Sequence, residues 1–163
     1  VAVVSDHERV VQQWQTIAFR LVGMGAQVED ALNLAVACAL GRDALAIKTI
    51  YADVAPTLNA DRKIGILRST PDPHGAPYLD AATTVMRVRN ALAHSSIVKD
   101  QVSLASATFT GAFRGRHTTI ILWDVEAWLL ERGHNRLVQE LWRLSLRLGD
   151  STAVGRALGF LDD

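Results

Sequence analysis

The sequence predicts an all-α protein: a helical bundle of about five to six helices carrying a small inserted β-hairpin. Three observations carry that expectation. Apolar residues recur at helical spacing over most of the chain, glycines and prolines fall between the periodic stretches, and the segment 101–123 switches to alternation with a period of two. The chain has 163 residues, 17 of them basic and 17 acidic. That length suits one globular unit that buries a core without staples. The neutral balance excludes a globally basic nucleic-acid coat and an acidic solvating tail. Apolar residues plus glycine reach roughly 55% of the chain, against a usual ~45–50%. The surplus excludes disorder and points to a buried interface beyond one monomer's core.

The elements follow in order. Ser5 and Glu8 have capping-box spacing, and a helix continues through Val10, Trp14, Ile17, Ala18 and Leu21. Gly23 and Gly25 are expected to stop it. A second helix fits 28–40, with Gly41 as its stop. A third fits 43–54 and is ended by Pro56. Asn59 caps a shorter fourth helix, through Ile64 and Leu67 to Arg68. The proline-rich stretch 69–77 is a loop, and Pro77 suits the first turn of a fifth helix over 78–96. Val102, Leu104, Ser106 and Thr108, then Thr118, Ile120 and Leu122, alternate around Gly111 and Gly115, which predicts a hairpin over about 102–122. Asp124 caps the last long helix. Its expected buried positions are Val125, Trp128, Leu129, Leu137, Leu141, Leu144 and Leu148, with Gly133 on the same face allowing close helix approach. Residues 1–150 read as a single domain, and 151–163 as a C-terminal tail, either a short helical turn or partly disordered.

Several chemistries are expected to be absent. The lone Cys38 lies in an apolar run and reads as a small buried hydrophobe in a reducing compartment. The longest apolar stretch, 31–40, is about half of the ~20 residues that a membrane span needs. The first residues lack the basic and long apolar regions of a signal peptide, so the expected location is the cytoplasm, away from membranes. The sequence has no His-x-His, no His-Glu-x-x-His, no P-loop and no Gly-x-Gly-x-x-Gly, so neither a metal nor a cofactor is expected. His7, His74 and His134 are isolated and read as surface or capping residues. Trp14, Trp123, Trp128 and Trp142 read as core or interface anchors.

The informative segment is Val85-Met86-Arg87-Val88-Arg89-Asn90-Ala91-Leu92-Ala93-His94-Ser95. On a helical wheel Val85, Val88 and Leu92 mark the core side. Arg87, Asn90 and His94 fall opposite, Asn90 and His94 being neighbours at i, i+4. Met86, Ala91 and Ala93 flank the polar cluster and leave room for a partner to cover it.

Arg89-Asn90-Ala91-Leu92-Ala93-His94 resembles the Arg-polar-x-x-x-His signature of the HEPN superfamily of helical domains. A match with Asn after Arg is expected about 0.01 times by chance in a chain of this composition. The resemblance implies a HEPN-like bundle that dimerises through the motif helix. It further implies a metal-independent endoribonuclease, as in many toxins and antiviral effectors of that family. It assigns Arg89 to phosphate binding, Asn90 to orienting it and His94 to acid/base work, with Arg87 in reserve. Some members add an acidic residue from an earlier helix, and Glu29 or Asp30 fits that role. Family toxins silenced by a nucleotidyltransferase often carry Tyr two residues after the histidine. Ser96 stands there, which argues against such a partner; an antitoxin or other protein partner of another kind stays open.

The chemistry is coherent. RNA supplies its own 2′-hydroxyl nucleophile, and cleavage needs a base, an acid and positive charge on the phosphorane. One histidine serves only half of the proton transfers, so the expected site is composite, at a homodimer interface. Arg87, Lys99, Arg114, Arg116 and His117 are candidate RNA contacts, around a Phe113-Arg114-Gly115-Arg116-His117 hairpin tip. The alternatives are a non-catalytic HEPN-like module that binds RNA, nucleotide or protein, and a histidine placed merely to suit a helix C-terminus.

Overall fold

Ser5 and Glu8 open the first helix by reciprocal capping: the Ser5 backbone N–H donates to Glu8 Oε2 at 2.8 Å, and the Glu8 N–H donates to Ser5 Oγ at 3.2 Å. These bonds from Ser5 hold the Glu8 carboxyl below its ordinary range. The computed structural model describes residues 5–72, 75–113 and 115–162. Its helices are α1 (Asp6–Leu40), α2 (Ala44–Thr49), α3 (Ala60–Arg68), α4 (Ala76–Ala93), α5 (Asp124–Leu148) and α6 (Ser151–Ala157). A π-helical turn, Ile50–Val54, and a 3-10 turn, Ala55–Thr57, continue α2. Between α4 and α5 run three strands, β1 (Ser95–Val102), β2 (Ser106–Phe113) and β3 (Arg116–Trp123). The protein is therefore mostly helical with a small antiparallel sheet of order β1-β2-β3.

Three expectations need correction. Gly23 and Gly25 do not stop the first helix, which continues to Leu40. A mid-helix glycine costs roughly 1 kcal/mol, less than the burial of Leu21 and Val28 on either side recovers. The hairpin is a three-stranded sheet, because the chain leaves α4 at Ala93 and residues 95–102 form a strand. Ser95 Oγ donates to the Ala91 carbonyl, and the serines and β-branched residues that follow favour extended backbone. Of the two readings of the tail the helical one holds, over Ser151–Ala157, where Asp150 Oδ1 accepts the Ala153 N–H at 2.9 Å. The buried stripe of α5 is Ala127, His134, Leu137, Leu141 and Leu144, whereas Val125, Trp128 and Leu129 are exposed and so is Gly133. Steps of four drift by ~40° each on a helix, so Val125 and Leu137 face different ways.

The chain divides into two compact units. The first holds the described residues up to Ala26 together with Arg87–His134. Its core joins Trp14 and Leu21 of α1, Val88 and Leu92 of α4, Ala107 and Phe109 of β2, Leu122 of β3 and Ala127 of α5. Trp14 Nε1 donates to the Ser103 carbonyl at 2.7 Å and ties α1 to the β1–β2 turn. The β2–β3 register runs from Ser106 opposite Trp123 to Phe113 opposite Arg116. In β1 the register shifts between Ile97 and Val102, so Lys99 lies in an irregular stretch.

The second unit holds Gln27–Met86 and the described residues from Asn135 onward. From Ala31 to Cys38 every α1 residue is buried, which is where the longest apolar run goes. Ala31, Leu32, Ala35 and Val36 pack with Ile64 and Leu67 of α3, Leu79 and Met86 of α4, and Leu141 and Leu144 of α5. Cys38 packs with Leu34, Ile47 and Val154, and burial pushes its thiol up to about 11. Asn59 caps α3 as expected, its Oδ1 accepting the Arg62 N–H at 2.9 Å. Among the described residues, no helix is long and apolar enough to cross a membrane.

Candidate functional site

Arg89 and Asn90 lie in the last turn of α4, and His94 is the residue between α4 and β1. Arg89 is half-buried; Arg87, Asn90 and His94 are exposed. Val88 and Leu92 are buried and fix which way the helix faces. Met86, expected beside the polar cluster, is 2% exposed and belongs to the core. The outward stripe of α4 is Ala81, Thr84, Arg87 and Asn90, small or polar at three-residue steps.

Arg89 is held at both ends of its side chain. Its Nη1 donates to Asn90 Oδ1 at 2.8 Å, so the asparagine orients the guanidinium. Its stem crosses α1 at Gly25, where an added Cβ would stand 2.3 Å from Arg89 Cγ and 2.5 Å from its Cβ. Any larger residue at 25 forces the arginine off this path. The backbone at His94 is fixed by a second close approach. Gly111 sits opposite Ser95 in the β1–β2 ladder, and a Cβ there would lie within 1.9 Å of the His94 carbonyl oxygen. Gly25 and Gly111 are thus positioning residues that sequence reasoning took for a helix stop and a turn. The usable signal was a glycine set inside an otherwise periodic apolar run.

Glu29 and Asp30 belong to the second unit. Glu29 Oε1 is 3.1 Å from Nζ of Lys63, a lysine with no exposed surface, which the sequence did not single out. Asp30 Oδ1 accepts the Tyr51 hydroxyl at 2.7 Å. Burial, with Asp30's hydrogen bond and charge, pushes that phenol up to about 12.

Of the expected RNA contacts, Lys99 on β1 is exposed, as are Arg116 and His117 at the start of β3. Arg114 lies outside the described residues, as do His74 and the Phe113 side chain. His134, read as a surface or capping residue, is buried in the α5 stripe, and burial lowers its pKa. Trp14 is a core anchor, but Trp123 and Trp128 are 51% and 54% exposed, and Arg132 stacks over the Trp128 ring. Among the described residues, no group of three or more His, Cys, Asp or Glu is placed to hold a metal ion. Compared with known protein families, curated proteins and solved structures, the chain matches none.

Proposed function

We propose that this chain is a HEPN-type endoribonuclease, acting as a homodimer whose paired α4 helices form a composite site. The observation that carries the reading is the seating of Arg89: stem against Gly25, fork held by Asn90, one helical turn before an exposed His94. A guanidinium with its path built by a glycine on another helix is preorganised, which is what charge stabilisation of a phosphorane requires.

In this reading His94 of one subunit takes the proton from the ribose 2′-hydroxyl. The O2′–P bond forms as the P–O5′ bond breaks, and the second subunit's histidine protonates the leaving 5′-oxygen. The products are a 2′,3′-cyclic phosphate and a 5′-hydroxyl, and no metal takes part. Arg89 spreads the phosphorane charge over a planar fork that matches two oxygens. Cytoplasmic action as a toxin or antiviral effector fits this chemistry.

The test is cleavage of single-stranded RNA with end-group analysis. His94→Ala is expected to lower the rate ~100- to 10,000-fold. Arg89→Ala is expected to lower it ~100- to 1,000-fold, with Asn90→Ala milder. Both severe variants must unfold at the wild-type temperature, since Arg89 is half-buried. Wild-type cleavage by both would remove the assignment. A second reading, a non-catalytic RNA- or protein-binding module, is favoured by the packing of the Arg89 stem on α1, which serves structure as well as chemistry. It takes over if the wild type dimerises but cleaves nothing.

A further inference from the structure

Within the first unit a cleft of about 360 Å³ opens between the N-terminal half of α1 and the start of β1. Leu92 and Phe109 supply its apolar floor, Ala18 lies on its α1 wall, and Gln15, Ser96 and Lys99 supply its polar groups. The volume is at the small end of ligand pockets, which run ~300–1,000 Å³, and suits one nucleotide.

Position gives the cleft its meaning. Ala18 and Gly25 are seven residues apart on α1, hence ~10 Å along the helix axis. Gly25 marks the seat of Arg89, and Leu92 comes one turn after Arg89 on α4. Ser95 and Ser96, which also line the cleft, follow His94 directly in the chain. The cleft thus lies about two helical turns along α1 from the Arg89 seat, a span comparable to one or two nucleotides. Lys99, exposed on β1, provides a cation among the lining residues.

We propose that this cleft is the base-binding subsite for a nucleotide flanking the scissile phosphate, with Gln15 reading the base edge and Lys99 holding the next phosphate. The proposal rests on the RNA reading of the Arg89–His94 segment. An apolar floor accepts the face of any base, while a side-chain amide offers both a donor and an acceptor for hydrogen bonds at its edge. Gln15 and Lys99 are thus specificity-determining and affinity-determining residues outside the signature.

The probes are fluorescent 2′-O-methyl oligoribonucleotides of ~10 nucleotides made of A, C or U, which lack the nucleophile and report binding alone. Wild-type protein is expected to bind the three with affinities that differ severalfold. Gln15→Ala should bring the three within about twofold of one another, and Lys99→Glu should weaken all three about tenfold. Lys48→Glu, the same charge change on exposed α2 in the second unit, should shift binding less than twofold. Three results overturn the subsite: no binding by the wild type, wild-type affinity and base preference in both cleft variants, or equal losses for Lys48→Glu and Lys99→Glu. RNA cleavage measured alongside separates the two claims. Cleft variants that lose binding in a protein that cleaves nothing uphold the subsite and remove the nuclease. Cleft variants with the wild-type KM in an active nuclease do the reverse.

Discussion

Gly23 and Gly25 sit two residues apart on α1 and meet opposite surroundings. Nothing lies within 4 Å of a Cβ added at Gly23, whereas at Gly25 it would overlap the Arg89 stem. Gly23→Ala should therefore stabilise the protein by about 0.5–1 kcal/mol, the helix propensity gained. Gly25→Ala gains the same propensity but overpacks, which costs about 1–3 kcal/mol, so the net change should be destabilising. Urea unfolding of the pair checks this; equal shifts in both variants would mean Arg89 is not seated at Gly25. His134 makes a second prediction. Burial lowers its folded pKa, while the unfolded chain keeps about 6.5. Above that pH both states are neutral and the group is silent. As pH falls through ~6.5 the unfolded state takes the proton first, so stability drops, then levels below the folded pKa. His134→Gln should flatten that acid-side slope in urea midpoints taken from pH 8 to 5. Parallel profiles would refute it.

Among the elements, β2 depends most on a single position. Gly111 lies in a run of Thr and Phe where Val is the better strand former, yet the His94 carbonyl leaves no room for a side chain. Gly111→Val is expected to destabilise by about 1–3 kcal/mol and to disturb the turn that carries His94. Thermal melts and the amide signals of residues 93–96 would show it; an unchanged melt would contradict the close approach. The same elements show what the sequence made readable. Helix starts were clear at Ser5, Asn59 and Asp124, because caps are local chemistry written in one or two residues. The alternation read over 102–108 ran across the turn between β1 and β2, whereas β3 was clear from alternation. The continuity of α1 and the strand β1 were not, because each is decided by distant partners: the two core clusters for α1, Gly111 and Phe109 for β1. At the site, Arg89, Asn90 and His94 were readable as a pattern, and the Arg89–Asn90 hydrogen bond follows from it. The glycines that seat them were not, since a close approach leaves no mark at the other residue.

The chain as a whole keeps much apolar surface outside its cores. Trp123, Val125, Trp128 and Leu129 are all more than half exposed, while the α4 stripe around Asn90 is small and polar. The proposed function needs the dimer to form through α4, not through the tryptophan patch. Light scattering should give twice the 17.8 kDa mass at micromolar concentration. Thr84→Cys should then cross-link to itself across the two-fold axis under oxidation, and Trp128→Cys should not. A monomer, or the opposite cross-linking pattern, would dismantle the composite site.

The two units share an arrangement with a consequence for how the protein is made. Each is assembled from an early and a late stretch of chain: the first closes only with 87–134, the second only with 135–163. The stretch 87–134 is made before 135–163, so the first unit has all of its chain while the second still lacks its closing stretch. Until α5 emerges, the apolar stretch of α1 that ends beyond Cys38 has no Leu141 or Leu144 to cover it. A nascent chain that has not yet reached Leu141 and Leu144 therefore leaves open the face of α1 that they cover, the stage at which a chaperone has most to protect.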